Sequence, residues 1–205
     1  PVPSSAASDV YKRQTLYIVV GSIIIFFIIA QFFIHRSSTK IEMYPYTLTT
    51  VVGEIEIRDY QARLFTNVPL SNQGYKQNAS KGFSKLGGYI FGANQRNQKI
   101  AMTSPVSMSL GEDASMQFMV PAAISEDELP KPNQADITFK QEPQKSMAVI
   151  TFSGWASDAT IKEHKDALIA VLKANGIQHS NQFYCFGYNP PYDLFFRKNE
   201  IAVEL

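Results

Sequence analysis

The sequence is poor in the residues that build metal sites and covalent cross-links, since its 205 residues include one cysteine and three histidines. The single Cys185 excludes an intramolecular disulfide and a cysteine-based zinc cage. His35, His164 and His179 are too far apart in the sequence to suggest a common metal ion. We therefore predict that the protein has no metal site.

A clear excess of charge of one sign is also lacking. The formal net charge is +1, from 19 Lys and Arg against 18 Asp and Glu. Some of these charges fall in the first forty residues, namely Asp9, Lys12, Arg13, Arg36 and Lys40. The rest of the chain is close to neutral and has no run of Lys or Arg, so it lacks the electrostatic footprint of a nucleic-acid-binding domain. We predict no nucleic-acid partner.

The motifs of common catalytic sites are missing as well. The sequence contains no Ser-His-Asp order, no glycine-rich phosphate loop and no HExxH helix. Glu54 and Glu56 are two residues apart on a predicted strand, so they share one face, which is expected to meet solvent. We therefore predict that the protein is not an enzyme.

One long apolar segment is present. Residues 15–34 read TLYIVVGSIIIFFIIAQFFI and carry no charge. As a helix this segment is about 30 Å long, which is the hydrocarbon thickness of a bilayer. It exceeds the apolar core of a cleaved signal peptide, and no small-x-small cleavage pattern follows it. We predict a single-pass transmembrane anchor over residues 15–34; a cleaved signal peptide and a buried core helix are the competing interpretations.

The segments around the anchor complete the predicted organisation. Residues 1–14 resemble translated cloning sequence more than native protein, and residues 35–46, with Pro45, are typical of a linker. Two cations on each side of the anchor balance, so the positive-inside rule gives no orientation. A short N-terminal tail before a long domain is the usual form of a signal anchor. On this ground we predict that the domain, residues 47–205, is extracytoplasmic.

Beyond the linker, two hydrophobic periods alternate. Period-2 alternation and turn residues predict strands over residues 51–65, 99–110, 115–120, 137–141, 147–152, 182–188 and 194–205. Helical spacing predicts one helix between residues 75 and 92, with an apolar face formed by Ala79, Phe83, Leu86 and Ile90. A second helix is predicted over residues 161–174, with an apolar stripe formed by Ile161, Leu168, Ile169 and Leu172.

The order β-β-α-β-β thus occurs twice. Each helix would cover one face of an antiparallel sheet, and closing the two halves on each other would hide most strand edges. The predicted fold class is therefore α+β. Duplicated β-β-α-β-β halves form a distorted antiparallel barrel or sheet flanked by two helices, preceded by one N-terminal transmembrane helix.

Four blocks of residues in this region resemble one family. They are Glu56-Ile57-Arg58-Asp59-Tyr60; Gly82-Phe83-x-x-Leu86-x-x-Tyr89-Ile90-x-Gly92-x-Asn94 with Lys99-Ile100-x-Met102-Thr103-x-Pro105-Val106; Gly187-Tyr188-Asn189-x-Pro191; and Arg197-x-Asn199-Glu200. In this order and spacing the sequence resembles the SOUL/heme-binding protein family over residues 52–205. The resemblance implies a fold of two duplicated sheet-and-helix halves.

The resemblance also implies a function, which is non-covalent binding of heme or a related tetrapyrrole in an apolar groove, for carriage or buffering. In the family this groove lies beside the first helix of the domain and the loop before the last strand. A flat macrocycle needs apolar walls, and its two carboxylates need cations at the mouth. The candidate residues at matching positions are Lys76, Phe83, Leu86, Gly87, Ile90, Tyr188, Tyr192 and Arg197. Lys81 and Lys85 are further candidates for the carboxylates. The Gly87–Gly88 pair allows either close helix packing or room for a flat ligand.

The axial ligand of the heme iron is left open. Some relatives have a histidine between the Arg and the Tyr of the first block, where this chain has Asp59, and a carboxylate is a poor substitute for imidazole. Met102, Met108 and Cys185 belong to residue types that ligate heme iron, but each such residue is more often part of a core.

Two other classes of function also stay open. The duplicated order of elements resembles GyrI-like effector-binding modules, in which an acidic residue in an apolar cleft selects cationic aromatic ligands, and some of which hydrolyse small molecules. The third hypothesis is a membrane-tethered interaction module without a small ligand. Binding of hemin, of a lipophilic cation or of neither distinguishes the three.

Overall fold

The computed structural model describes residues 5–38, 41–71, 74–111, 113–190, 192–194 and 197–205. The helices are α1 (Ser5–Ser38), α2 (Tyr75–Ile90) and α3 (Asp158–Ala174), with a 3-10 turn at Glu126–Glu128. The strands are β1 (Glu42–Met43), β2 (Tyr46–Val52), β3 (Ile55–Tyr60), β4 (Arg63–Pro69), β5 (Thr103–Ser104), β6 (Val106–Leu110), β7 (Ser115–Met119), β8 (Thr138–Glu142), β9 (Lys145–Ser153), β10 (Phe183–Gly187) and β11 (Lys198–Glu204). The predicted α+β class with two β-β-α-β-β halves is confirmed.

Nine strands form one curled antiparallel sheet in the order β2-β3-β9-β11-β10-β6-β7-β4-β8. Apart from β2, this order is symmetric about the central pair β10–β6. Strands that correspond in the two halves (β3 and β8, β4 and β9, β6 and β10, β7 and β11) lie equally far from that pair. The two halves are therefore related by a local two-fold axis and joined by a continuous hydrogen-bonded ladder.

Both helices of the domain pack on the same face of the sheet. The helix α2 buries Leu86, Tyr89 and Ile90 against one half, and α3 buries Ile161, Leu168 and Leu172 against the other. Phe83 is only partly buried, because the contact face of α2 is centred on Gly82, Leu86 and Tyr89. The face of α2 that contacts the sheet is thus rotated by about one residue from the predicted apolar face. This rotation leaves Phe83 beside the space between the helices.

The helix α2 approaches the sheet closely at Gly82. A Cβ atom there would lie 2.9 Å from Sδ of Met116 and 3.0 Å from Cδ2 of Leu70. At Gly87 the nearest atom, in the Phe83 ring, would be 3.4 Å away, and at Gly88 the nearest is Cβ of Ala93 at 3.9 Å. Close packing on the sheet therefore requires glycine at Gly82 and not at the Gly87–Gly88 pair.

The N-terminal helix is longer than the predicted anchor. It continues to Ser38, and its stretch Val10–Ile34 is long and apolar enough to span a bilayer, a test that signal sequences also pass. Residues 42–46 of the predicted linker lie on the domain. There β1 pairs in parallel with β5, and Tyr44, 5% exposed, donates its backbone N–H to the Ser104 carbonyl at 2.8 Å.

The face of the sheet away from α2 and α3 is filled by aromatic and charged side chains. Arg58 on β3 and Glu200 on β11 are 2% and 0% exposed and are joined by two hydrogen bonds of 3.0 and 3.1 Å. Glu200 also accepts a hydrogen bond from the Tyr188 hydroxyl at 2.5 Å. Burial alone would raise the pKa of Glu200, but Arg58 and Lys198 outweigh it and hold this pKa below its usual value. Glu200 is therefore ionised and paired inside the domain.

Replacing Gly82 tests the close contact of α2 with the sheet. Gly82→Ala should lower the free energy of unfolding by about 1–3 kcal/mol, because the added methyl group overlaps Met116. The matched change Gly88→Ala should leave stability unchanged or raise it by up to about 1 kcal/mol, because alanine favours the helix. Urea denaturation of the detergent-solubilised chain, followed by circular dichroism, measures both. Equal effects of the two changes would contradict the assignment.

Replacing Glu200 tests the buried ion pair. Glu200→Gln should lower the free energy of unfolding by up to about 3–5 kcal/mol at neutral pH, because Arg58 loses its buried counter-ion and keeps only the partly exposed Glu56. Folding lowers the pKa of Glu200, so Glu200 stabilises the folded state only while it is ionised. The stability difference between Glu200→Gln and the unchanged protein should therefore shrink as the pH falls below the ordinary pKa of a glutamate. Asp166→Asn, which removes an exposed pair with Lys162, should cost less than about 1 kcal/mol. Equal denaturation midpoints for the two variants would refute the role of Glu200.

Candidate functional site

A groove on the helix-covered face of the sheet separates α2 from the start of α3. The spacing of the two helices there is set by a hydrogen bond of 2.8 Å from the backbone N–H of Tyr75 to Oδ1 of Asp158. Each of these residues is the first of its helix. The cavity between the helices has a volume of 850 Å³, which lies within the range of small-molecule sites.

The floor of the groove is the central strand pair with its neighbours. Three sulfur-containing side chains lie opposite one another there, Cys185 on β10, Met108 on β6 and Met116 on β7, and each is at most 4% exposed. Burial raises the pKa of the Cys185 thiol to about 12, and Tyr75 lowers it to a smaller extent. The thiol is thus neutral at physiological pH, and the prediction that Cys185 is buried is confirmed.

A second cavity of 590 Å³ continues from the groove toward α1. The two cavities have four lining residues in common, which are Phe83, Val106, Gly187 and Asn189. The other walls of the second cavity include Phe33, Ile34, Phe91, Met102, Tyr188 and Tyr192. The two cavities together form one channel with mostly apolar walls, and Gly187 lies where they join.

Two cations line the larger cavity. Lys76, in the first turn of α2, is exposed, and the guanidinium of Arg197 lies 4.1 Å from the ring centroid of Trp155. Nη1 of Arg197 donates to the carbonyl oxygens of Pro190 and Asp193, each at 3.0 Å. Its buried Nε has no acceptor among the described residues, and burial lowers the pKa of this guanidinium. An anionic group in the groove would therefore meet a partly desolvated donor.

The structure brings together most of the site residues inferred from the sequence. Lys76, Phe83 and Arg197 line the larger cavity, and Phe83, Tyr188 and Tyr192 line the smaller one. The other three candidates, Leu86, Gly87 and Ile90, are buried and are not among the described residues that line either cavity. Leu86 and Ile90 instead belong to the core between α2 and the sheet, since the contact face of α2 is turned toward them.

Other residues considered as ligands have structural partners. Asp59, on β3, accepts hydrogen bonds from Ser146 on β9 and Thr49 on β2. His164 stacks on Phe152 with ring centroids 4.3 Å apart. None of these side chains is among the described residues that line the channel. The two methionines weighed as iron ligands do line it, Met102 in the smaller cavity and Met108 in the larger.

Several lining residues carry no local sequence signal that assigns them to a site. Trp155, the only tryptophan of the chain, borders the groove beside Arg197, and Gly187 forms part of both cavities. Phe33 and Ile34 were assigned only to the anchor. The strand predicted over residues 182–188 did not indicate the face on which the helices pack. The sequence offered one indication of this wall, which is that its single tryptophan comes just before α3.

The chain is similar in sequence to animal heme-binding proteins. It is 28% identical to human heme-binding protein 2 over 159 residues, which cover 73% of this chain and 77% of the relative. It is 27% identical to mouse heme-binding protein 2 over 158 residues, with the same coverage. For heme-binding protein 1 of Xenopus laevis the identity is 27% over 153 residues, or 71% of this chain and 80% of the relative.

Solved structures with a similar fold are more distant in sequence. The EcmrR C-terminal domain superposes with a TM-score of 0.55 at 12% identity, over 78% of this chain and 96% of that domain. A protein described as a hydrolase from Listeria innocua superposes with a TM-score of 0.54 at 8% identity, over 73% and 90%. At these identities the similarity shows the fold alone. The family model of the SOUL heme-binding protein matches residues 41–204, which are nearly the whole chain beyond α1, and the chain therefore belongs to this family.

Proposed function

We propose that this protein binds heme or a related tetrapyrrole in the channel beside α2, and that it is a membrane-anchored carrier or buffer rather than an enzyme. The observation that carries the proposal is the apolar channel with the half-buried Arg197 at its edge. Membership of a heme-binding family supports the same ligand class.

The residues of the channel fit a tetrapyrrole in three respects. Its volumes of 850 and 590 Å³ suit a ligand of that class, and Phe83, Tyr188 and Tyr192 provide aromatic walls. Arg197, whose buried Nε is without an acceptor among the described residues, and Lys76 provide cations for carboxylates. The floor residues Cys185 and Met108 are uncharged and present no ion to an apolar macrocycle.

Each group has a distinct part in binding. The aromatic walls exclude water from the faces of the macrocycle, and Arg197 and Lys76 orient it through its carboxylates. A bound heme would supply an iron centre whose usual protein ligands are His, Cys, Met or Tyr. Of these types, Met102, Met108, Cys185 and Tyr188 line the channel, but the Tyr188 hydroxyl already donates to Glu200. The thiol of Cys185 would have to lose a proton against a raised pKa, so the methionines are the more accessible sulfur ligands.

The charge of the groove does not favour a lipophilic cation. A cation-selective cleft needs an acidic side chain that is available to the ligand. Glu200 and Asp193 are the most buried acids described, each 0% exposed, and neither belongs to the described lining of either cavity. Glu200 is paired with Arg58, and Asp193 accepts a hydrogen bond from the Asn189 amide at 2.7 Å. Asp158 lines the larger cavity, but it already accepts a hydrogen bond from Tyr75. Lys76 and Arg197 lie in the same cavity and add repulsion.

The proposed anchor places the domain at a bilayer surface. The stretch Val10–Ile34 has the length and composition of a membrane span. An apolar ligand such as heme partitions into bilayers, so an anchored domain would capture it close to that source. We propose that the span is the predicted anchor, residues 15–34, and that the domain faces away from the cytoplasm.

Filling the channel at Gly187 tests the proposed site. A Cβ atom at Gly187 would have no atom within 4 Å, so Gly187→Phe should fold and project its ring into both cavities. We expect hemin binding to weaken by about tenfold or more, equivalent to about 1.4 kcal/mol, while the matched change Gly187→Ala leaves it nearly unchanged. Absorbance titration of the detergent-solubilised chain measures the affinity, with detergent alone as the blank. Equal affinities of the two variants would place hemin elsewhere.

The cations are tested with an esterified ligand. Lys76→Met and Arg197→Met should each weaken binding of hemin by about three- to tenfold, because each removes a charged partner worth about 1 kcal/mol. Neither should weaken binding of hemin dimethyl ester, which carries no carboxylate. Lys85→Met is the control, since Lys85 pairs with Asp136 outside the channel. A loss of the same size for both ligands would show that these residues support the fold and not the carboxylates.

A further inference from the structure

The last turns of α1 contribute directly to the smaller cavity. Phe33 and Ile34 form part of its wall, facing Tyr188 and Tyr192 of the domain. The helix that could span a membrane and the cavity that could hold a ligand therefore have a common surface.

Gln31 fixes the domain to this helix. Among the side chains of α1 that the structure describes, Gln31 is the buried one, at 6% exposure. Its Nε2 donates to the carbonyl oxygen of Tyr192 at 3.2 Å, and its Oε1 accepts from the N–H of Leu194 at 3.1 Å. One amide thus satisfies a backbone acceptor and a backbone donor of the same loop. A polar side chain within an apolar span requires such partners, because no water is available there.

The two hydrogen bonds of Gln31 fix the position of residues 192–194 along the axis of the proposed anchor. If residues 15–34 cross the hydrocarbon core, Gln31 lies about 4.5 Å inside its boundary, at 1.5 Å per residue. The backbone of residues 192–194, bound to Gln31, is then at the same boundary. The smaller cavity, with Phe33 and Ile34 in its wall, is at this level as well.

The side chains around this point suit a lipid interface. Phe91, Tyr192 and Leu194 are 60%, 61% and 42% exposed. Phe91 and Tyr192 also line the smaller cavity. Aromatic side chains are favoured at the level of lipid headgroups, and this apolar rim continues the exposed apolar surface of α1. In water the rim would be an exposed apolar patch, which marks a contact surface.

We propose that the rim formed by Phe91, Tyr192 and Leu194 contacts the bilayer, and that the smaller cavity opens onto it and receives its apolar ligand from the lipid. This inference depends on the proposed membrane anchor and adds to it a second, fixed membrane contact. Gln31 holds the loop at the interface, so the entrance keeps one height relative to the lipid. A ligand dissolved in the bilayer would then reach Tyr188 and the larger cavity without crossing water.

Quenching of a single tryptophan by brominated lipids tests this contact. The background is Trp155→Phe in the full chain, reconstituted in phosphatidylcholine nanodiscs with bromine near the glycerol end of the acyl chains. Tyr192→Trp is the reporter, and Leu194→Trp is a second one in case the first does not fold. Lys173→Trp is the negative control, because Lys173 is exposed and lies about 22 Å along α3 from the helix start that borders the groove. Phe33→Trp is the interfacial standard.

We expect Tyr192→Trp to lose as much fluorescence as Phe33→Trp, and Lys173→Trp to lose almost none. Adding Gln31→Met should reduce the quenching of Tyr192→Trp, because the loop is released from α1. Quenching of Tyr192→Trp as weak as that of Lys173→Trp would overturn the membrane contact, and an unchanged value with Gln31→Met would overturn the role of Gln31.

Phe26→Trp, near the middle of the proposed span, separates a failure of the anchor from a failure of the rim contact. If lipids with bromine at the chain ends do not quench Phe26→Trp, the proposed anchor itself is wrong.

Discussion

The antiparallel pairing of β6 with β10 is the constraint on which the other features depend. It joins the two halves of the domain about a local axis, so the helices α2 and α3 begin on the same side of the seam. The bond between Tyr75 and Asp158 then sets the distance between the two helices. The groove is thus the gap that remains when two equivalent halves meet, and its floor is the seam itself.

The sheet separates two kinds of interior. On the face away from α2 and α3, Arg58 and Glu200 are fully buried and neutralise each other. On the helix-covered face the channel has aromatic and sulfur-containing walls, with Lys76 and Arg197 as its cations. This division leaves the channel available for an apolar anion, while the buried acid supports the fold. A tetrapyrrole with two carboxylates has the chemistry that this division favours.

Sequence patterns predicted the elements well and the site in part. Strand alternation and helical spacing are local, so the duplicated order and both helices could be recognised. Helical spacing placed Leu86 and Ile90 on the apolar face of α2, and both pack against the sheet. They were also assigned to the wall because the family resemblance puts the groove beside this helix. The exact orientation of α2 depends on the close contact at Gly82, which no local pattern encodes. Gly187 joins the site through strand register, and Trp155 joins it through the connection from β9 to α3. Likewise, the contribution of α1 to the smaller cavity depends on a long-range bond from Gln31.

Hydrogen exchange on the full chain, with and without hemin, tests the central claim that the ligand lies in the channel between α2 and α3. The account predicts slower exchange in the first turns of α2, at the start of α3 and around Gly187, where backbone amides border the two cavities. The far end of α3 and the strand β3 should exchange at unchanged rates. Protection confined to the face that holds Arg58 and Glu200, or no protection at saturating hemin, would contradict the account.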